Sequence, residues 1–122
     1  MSVTSQDFIS FATMCIQRND EIGYRNAIGR AYYGAYHHTI AKLVNGPKQS
    51  HADLITYLQG EAWQVPLEAF DKKKMIALSH VLFAMKSQRT LSDYKLNLNI
   101  DKAKADLAMT NAANALKIVD SL

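Results

Sequence analysis

Arg30 and His37 are the two side chains of this 122-residue chain whose types and spacing most plainly allow chemistry. A histidine exchanges protons near neutral pH, its ordinary pKa being about 6.5, so it can act as a general acid or base. An arginine stays charged and offers a planar fork of donors that suits phosphate oxygens. The pair lies in a proline-free stretch, Arg25 to Val44. If that stretch is helical, seven residues make two turns, and both side chains point the same way, roughly 10 Å apart along the axis.

The element that must position them reads as one helix beginning near Glu21. At about 100° per residue, Ile28, Tyr32, Tyr36 and Leu43 fall on one side. Gly23, Asn26, Arg30, Tyr33, Gly34, His37 and Ala41 fall on nearly the opposite side. A solvated face is usually filled with Lys, Glu and Gln. Here small residues surround an Arg and a His, although glycine costs about 1 kcal/mol against alanine in a helix interior. The pattern implies close approach by another helix or by a second copy of the chain. A packed helix pair with one satisfied Arg and one satisfied His accounts for the spacing as well.

The run Arg25-Asn26-Ala27-Ile28-Gly29-Arg30-Ala31-Tyr32-Tyr33-Gly34-Ala35-Tyr36-His37 resembles the signature helix of the HEPN superfamily. In that family an Arg is followed, after four to six residues, by a His; Arg30 and His37 match with six between them. Arg89 followed by Ser92-Asp93-Tyr94 resembles the Arg…Ala-Asp-Tyr segment that ends the family's third long helix. The two matches span most of the chain in the expected order. Many HEPN proteins are metal-independent endoribonucleases, including toxins and phage-defence effectors, and they commonly dimerise so that two Arg–His pairs meet in one cleft. The resemblance therefore implies RNA as substrate, a homodimer, His37 as acid–base group and Arg30 as phosphate clamp.

The chemistry explains why two copies would be needed. Cutting RNA without metal requires a group to take the 2′-OH proton, one to protonate the 5′-oxygen, and positive charge at the phosphorane. One Arg and one His do not readily cover three tasks, whereas two copies related by a two-fold axis do. Asn26 and Tyr33, one turn away on the same face, are expected from geometry to orient RNA or the His. His38, about 100° off, is expected to support the site.

Two positions depart from the family pattern. Ala31 stands where active nucleases commonly have Asn, Asp or His. Thr39 stands where some toxin members carry a Tyr that a partner nucleotidyltransferase modifies. Thr39 leaves that antitoxin mechanism without a matching target. Ala31 and the modest basic charge fit an alternative, a non-catalytic module that binds nucleotide or substrate and partners a nucleotidyltransferase, an antitoxin or another protein.

Length and composition bound the rest. The chain suffices for a single domain, 1–122. Hydrophobic residues at 48% and charged residues at 20% suit a globular protein. No apolar run approaches the roughly 18 residues of a membrane span, and the first residues carry no signal-like core; a cytoplasmic location is expected. The net charge of +3 is compatible with nucleic acid without demanding it. Lys72-Lys73-Lys74, the one basic run, reads as a solvated helix face. Cys15 reads as an inert buried thiol. The four histidines show no HExxH or CxxC spacing, so no metal site and no cofactor are expected.

The expected fold is an all-α, up-and-down bundle of four long helices plus one short helix. Thr4 or Ser5 caps the first helix, which runs to Arg18, and Asn19 or Asp20 caps the central one. Asn45-Gly46-Pro47 stops it. Ser50 caps a short helix, His51 to Leu58. The resemblance, in which a His often stands at about this position, implies that His51 extends the site, and a local capping or packing role accounts for it as well. Trp63 and Val65-Pro66 form a connector. The next long helix runs from Pro66 to about Arg89, with Phe70, Lys74, Ala77, Leu78, Val81, Leu82 and Met85 inward, Met75, Ile76 and Phe83 widening the stripe, and His80 in the core or an interface. Ser87 to Asn99 reads as loop or frayed chain. Asp101 opens a last helix with Ala105, Leu107, Ala108, Ala112, Ala115, Leu116 and Val119 inward.

Overall fold

Local signals at the helix ends account for most of the element boundaries in the computed structural model, which describes residues 2–47, 50–64, 68 and 70–122. Thr4 accepts from the Asp7 amide while Asp7 bonds back to the Thr4 backbone, a capping box that starts α1, Ser5–Gln17. Asn19 takes the left-handed conformation (φ 58°) that asparagine tolerates. Asp20 then accepts from the Gly23 amide and opens α2, Glu21–Lys42. Ser50 caps α3, His51–Gln59, and α4 is a single turn, Glu61–Gln64. Asp71 caps α5, Lys72–Tyr94, and Asp101 caps α6, Lys102–Asp120. No strand occurs among the described residues.

The product is a helical bundle organised on α2, which packs against α1, α5 and α6, while α3 lies against α5. The expected apolar side of α2 is in the core: Ile28, Tyr32, Tyr36 and Leu43 are all buried. From α5 come Met75, Leu78, Leu82 and Met85, and from α6 the alanines 105, 108, 112 and 115 with Val119. Alanine at those positions lets α6 approach α2 closely, because little side-chain volume stands between the backbones.

The small-residue face of α2 is met by α1 of the same chain. A Cβ at Gly34 would lie 2.6 Å from the Cδ1 of Ile9 and 3.2 Å from the Ser5 carbonyl oxygen. One at Gly23 would lie 2.3 Å from the Cys15 carbonyl oxygen, closer than any relaxed contact. The glycines are thus accounted for by the α1–α2 crossing, and Ala41 lies exposed beyond it.

Several expectations are corrected. The bundle has two short helices, since Trp63 sits in α4; Val65 and Pro66 lie outside the described residues. The central helix ends at Lys42, two residues early, with Leu43 extended at its C-cap. Helix α5 begins at Lys72 and continues to Tyr94, through residues expected to be loop. The cause is Arg25, only 5% exposed, whose guanidinium donates to the carbonyls of Ser92, Lys95 and Leu98 and to Glu21. Those carbonyls belong to the helix end and the turn after it, where no intrahelical donor remains. Lys74, Ala77 and Phe83 on α5 face outward, as does Leu107 on α6, because the stripe packed against α2 is narrower than the sequence pattern implied. His80 is exposed and outside the core.

Lys72, Lys73 and Lys74 are all exposed, as a solvated face requires. Cys15 is buried, and burial pushes its thiol pKa up, away from the reactive thiolate. No helix is long and apolar enough to cross a membrane among the described residues.

Candidate functional site

Helix α2 presents Arg30 and His37 toward the edge of α1, and Phe8 of α1 lies against both. The Phe8 and His37 ring centroids are 5.2 Å apart, and the Arg30 guanidinium carbon is 5.8 Å from the Phe8 centroid. Tyr33, between the two in sequence, completes the arrangement. Its ring centroid is 5.0 Å from the Arg30 guanidinium and 6.4 Å from the His37 ring, to which it is nearly parallel. Arg30 and His37 therefore share the same two aromatic rings, and the cation–π attraction holds the guanidinium without neutralising it.

Neither side chain is consumed by the fold. Arg30 is half-buried and forms no ion pair or hydrogen bond with the described residues; His37 is exposed and held by its ring neighbours. A shallow groove runs from Val3, Phe11 and Arg30 past Phe8 to His37 and Ala41. Its walls are largely apolar and aromatic; besides Arg30 and His37 it is lined by Thr4, Ser5 and the carboxylate of Asp7, which the capping box of α1 engages.

A second histidine reaches the same aromatic cluster from α3. The ring of His51 lies 4.0 Å from that of Tyr36 and 5.6 Å from that of Tyr33. The buried Tyr32 hydroxyl is 2.5 Å from its Nδ1. Burial lowers the His51 pKa below its ordinary value, and the charges of Arg89, Lys86 and His37 lower it further. Ser50 caps the helix, so packing is what places His51.

From α5 comes Arg89. Its guanidinium carbon is 5.4 Å from the Tyr33 centroid and 5.9 Å from that of Tyr94. Its Nε lies 3.0 Å from an Asp93 carboxylate oxygen, an ion pair by proximity without a hydrogen bond at that nitrogen. The sequence offers Arg89 only through a family match and His51 as an extension of the site or a local packing residue, and it gives Phe8 only as part of the apolar stripe of α1. Tyr32 and Tyr36, four residues apart on the buried side of α2, were the available signal for His51, since a buried phenol seeks a polar partner.

The remaining expected residues lie elsewhere. Asn26 is exposed beside Phe11, Cys15 and Ile22, and its amide donates to the Ile22 carbonyl of its own helix at 2.8 Å. His38 pairs through Nδ1 with the Ser5 hydroxyl at 2.9 Å and through Nε2 with Asp120 at 2.7 Å. It ties α1, α2 and α6 together, which leaves neither ring nitrogen free for a ligand. No group of three or more His, Cys, Asp or Glu among the described residues is arranged to hold a metal ion.

No family model, curated protein or solved structure matches the chain.

Proposed function

We propose that the chain is a HEPN-type, metal-independent endoribonuclease of the cytoplasm, working as a homodimer with a composite Arg30–His37 site. The observation that carries this reading is that Arg30 and His37 converge on the same two rings, Phe8 and Tyr33, with their donors uncommitted. An aromatic groove carrying Arg30 suits single-stranded RNA, whose bases stack on rings while an arginine holds phosphate. The Asp7 carboxylate in its wall is engaged by the Thr4 amide and hydroxyl.

In the proposed reaction one His37 takes the proton of the ribose 2′-OH, and O2′ attacks the adjacent phosphorus. As the bond from phosphorus to O5′ breaks, the partner's His37 gives that oxygen a proton. The products are a 2′,3′-cyclic phosphate and a free 5′-OH, and the protons balance between the two imidazoles. The two Arg30 side chains hold the charge that gathers on the phosphorane. Exposed apolar side chains support self-association: Phe11, which lines the groove with Arg30, and Met14 on α1 are 51% and 61% exposed, and Ile22 on α2, near Phe11, is 58% exposed. His38 has no part in this reading, and Asn26 lies at its margin.

The test is cleavage of a labelled RNA in EDTA by wild type, Arg30→Ala and His37→Ala. Each variant is expected to lose cleavage by at least about 100-fold, the scale of a general acid–base group, while its helix content is kept. Cutting that needs a divalent metal, or that persists in both variants, overturns the mechanism. Tight RNA or nucleotide binding without turnover establishes the non-catalytic module instead.

A further inference from the structure

Helices α3 and α5 bring a second set of donors to the opposite end of the same aromatic cluster, and the reaction above uses none of them. The Tyr33 ring has two guanidinium neighbours, Arg30 at 5.0 Å and Arg89 at 5.4 Å. Two like charges on one ring repel, and Asp93 sits only at the Nε side of Arg89. The terminal nitrogens of Arg89 make no hydrogen bond with the described residues, and a phosphate takes that edge of the fork bidentately.

His51 adds a neutral donor. Tyr32 is 1% exposed and Nδ1 of His51 is the partner of its hydroxyl among the described residues, so donation to Nδ1 is what satisfies the buried phenol hydrogen, which burial keeps on the oxygen. The imidazole must then carry its own hydrogen on Nε2, which has no partner among the described residues. Lys86 lies on α5 near enough for its charge to bear on His51. Exposed Tyr94, 5.9 Å from the Arg89 guanidinium, offers a further face for a base.

We propose that Arg89 and His51 form a second phosphate subsite beside the Arg30–His37 pair, so that the protein takes a single RNA strand across Tyr33 with one phosphate at each guanidinium. The inference rests on the reading of the ligand as RNA. It makes the substrate a strand with at least two phosphates, and a mononucleotide fills only the Arg30 end. His51 is a positioning and binding group here, not the acid or base.

The experiment measures binding, so it does not depend on cleavage. A fluorescein-labelled ten-nucleotide 2′-O-methyl RNA, which has no 2′-OH to attack, is titrated by anisotropy against wild type, Arg89→Gln and His51→Ala at several salt concentrations. Arg89→Gln is expected to weaken binding about tenfold and to reduce the slope of log affinity against log salt by about one. His51→Ala is expected to weaken it about fivefold with the slope unchanged, since a neutral donor is lost, and His51→Gln to restore most of the loss. Adenosine 5′-monophosphate is expected to bind wild type and Arg89→Gln equally. Should Arg89→Gln lose its fold, Arg89→Lys is used, which keeps the charge: the slope is then unchanged and affinity falls with the loss of the fork. Decamer binding and slope unaltered in Arg89→Gln, or monophosphate affinity falling as far as decamer affinity, overturns the subsite and leaves the nuclease reading standing. A wild type that binds the decamer in the expected pattern yet cuts no RNA supports the subsite and overturns the nuclease.

Discussion

The Tyr32 hydroxyl on the central helix lies 2.5 Å from Nδ1 of His51, nineteen residues further along the chain. That contact joins the buried side of α2 to the aromatic cluster at the groove, and it determines which nitrogen of His51 carries the proton.

Tyr32→Phe removes the donor and keeps the ring. The neutral imidazole of His51 should then shift from the Nε2–H form towards a mixture of tautomers, read from the ¹⁵N shifts of labelled histidine. Stability should drop by about 1 kcal/mol for one lost hydrogen bond. Finding the proton on Nδ1 in the wild type would sink the assignment.

Stability should also depend on pH through His51. Burial, first, and the charges of Arg89, Lys86 and His37 hold its folded pKa below the ordinary 6.5. Below pH 6.5 the unfolded chain therefore binds a proton before the folded one does, and the melting temperature falls with acidification until the lowered folded pKa is passed. His51→Gln should lose this part of the dependence, measured by thermal melts between pH 7.5 and pH 5. Parallel curves for the two proteins would contradict it.

Arg25 holds the end of α5. Replacing it by Met removes charged donors from the carbonyls of Ser92, Lys95 and Leu98, at a cost of about 3 kcal/mol. Amide exchange should speed up locally from Leu91 to Ile100 before the rest of the chain responds. Uniform loss of protection would mean that Arg25 supports the whole core and not this helix end.

Gly23→Ala puts a methyl 2.3 Å from the Cys15 carbonyl oxygen, a backbone atom that cannot swing aside. The clash should outweigh the better helix propensity of alanine and leave the variant about 2 kcal/mol less stable in urea denaturation. An equally stable variant would show that the α1–α2 crossing can open at no cost.

Phe8→Leu keeps apolar volume but removes the ring that lies against both His37 and Arg30. On the proposed mechanism kcat should fall about tenfold with KM little changed, because the two groups lose their shared orientation. A change confined to KM would make Phe8 a contact for RNA instead.

The starts of α1, α2, α3 and α6 were legible in the sequence because they rest on local chemistry, whereas α4 and the start of α5 at Lys72 were not. Thr4, Asp20, Ser50 and Asp101 each cap the helix expected of them through bonds to backbone only three residues away. The sharing of one face by Arg30, Tyr33 and His37 follows from the 3.6-residue repeat, and the structure keeps them together around Phe8. What decided the rest was contact at long range. The chain could not say whether α1 or a second copy would cover the glycines, since both satisfy the same pattern. The length of α5 was hidden because its end depends on Arg25, 67 to 73 residues earlier, replacing donors that the helix lacks. His51 and Arg89 joined the cluster for the same reason: their neighbours are rings on α2, and only the packing of α3 and α5 brings them within reach.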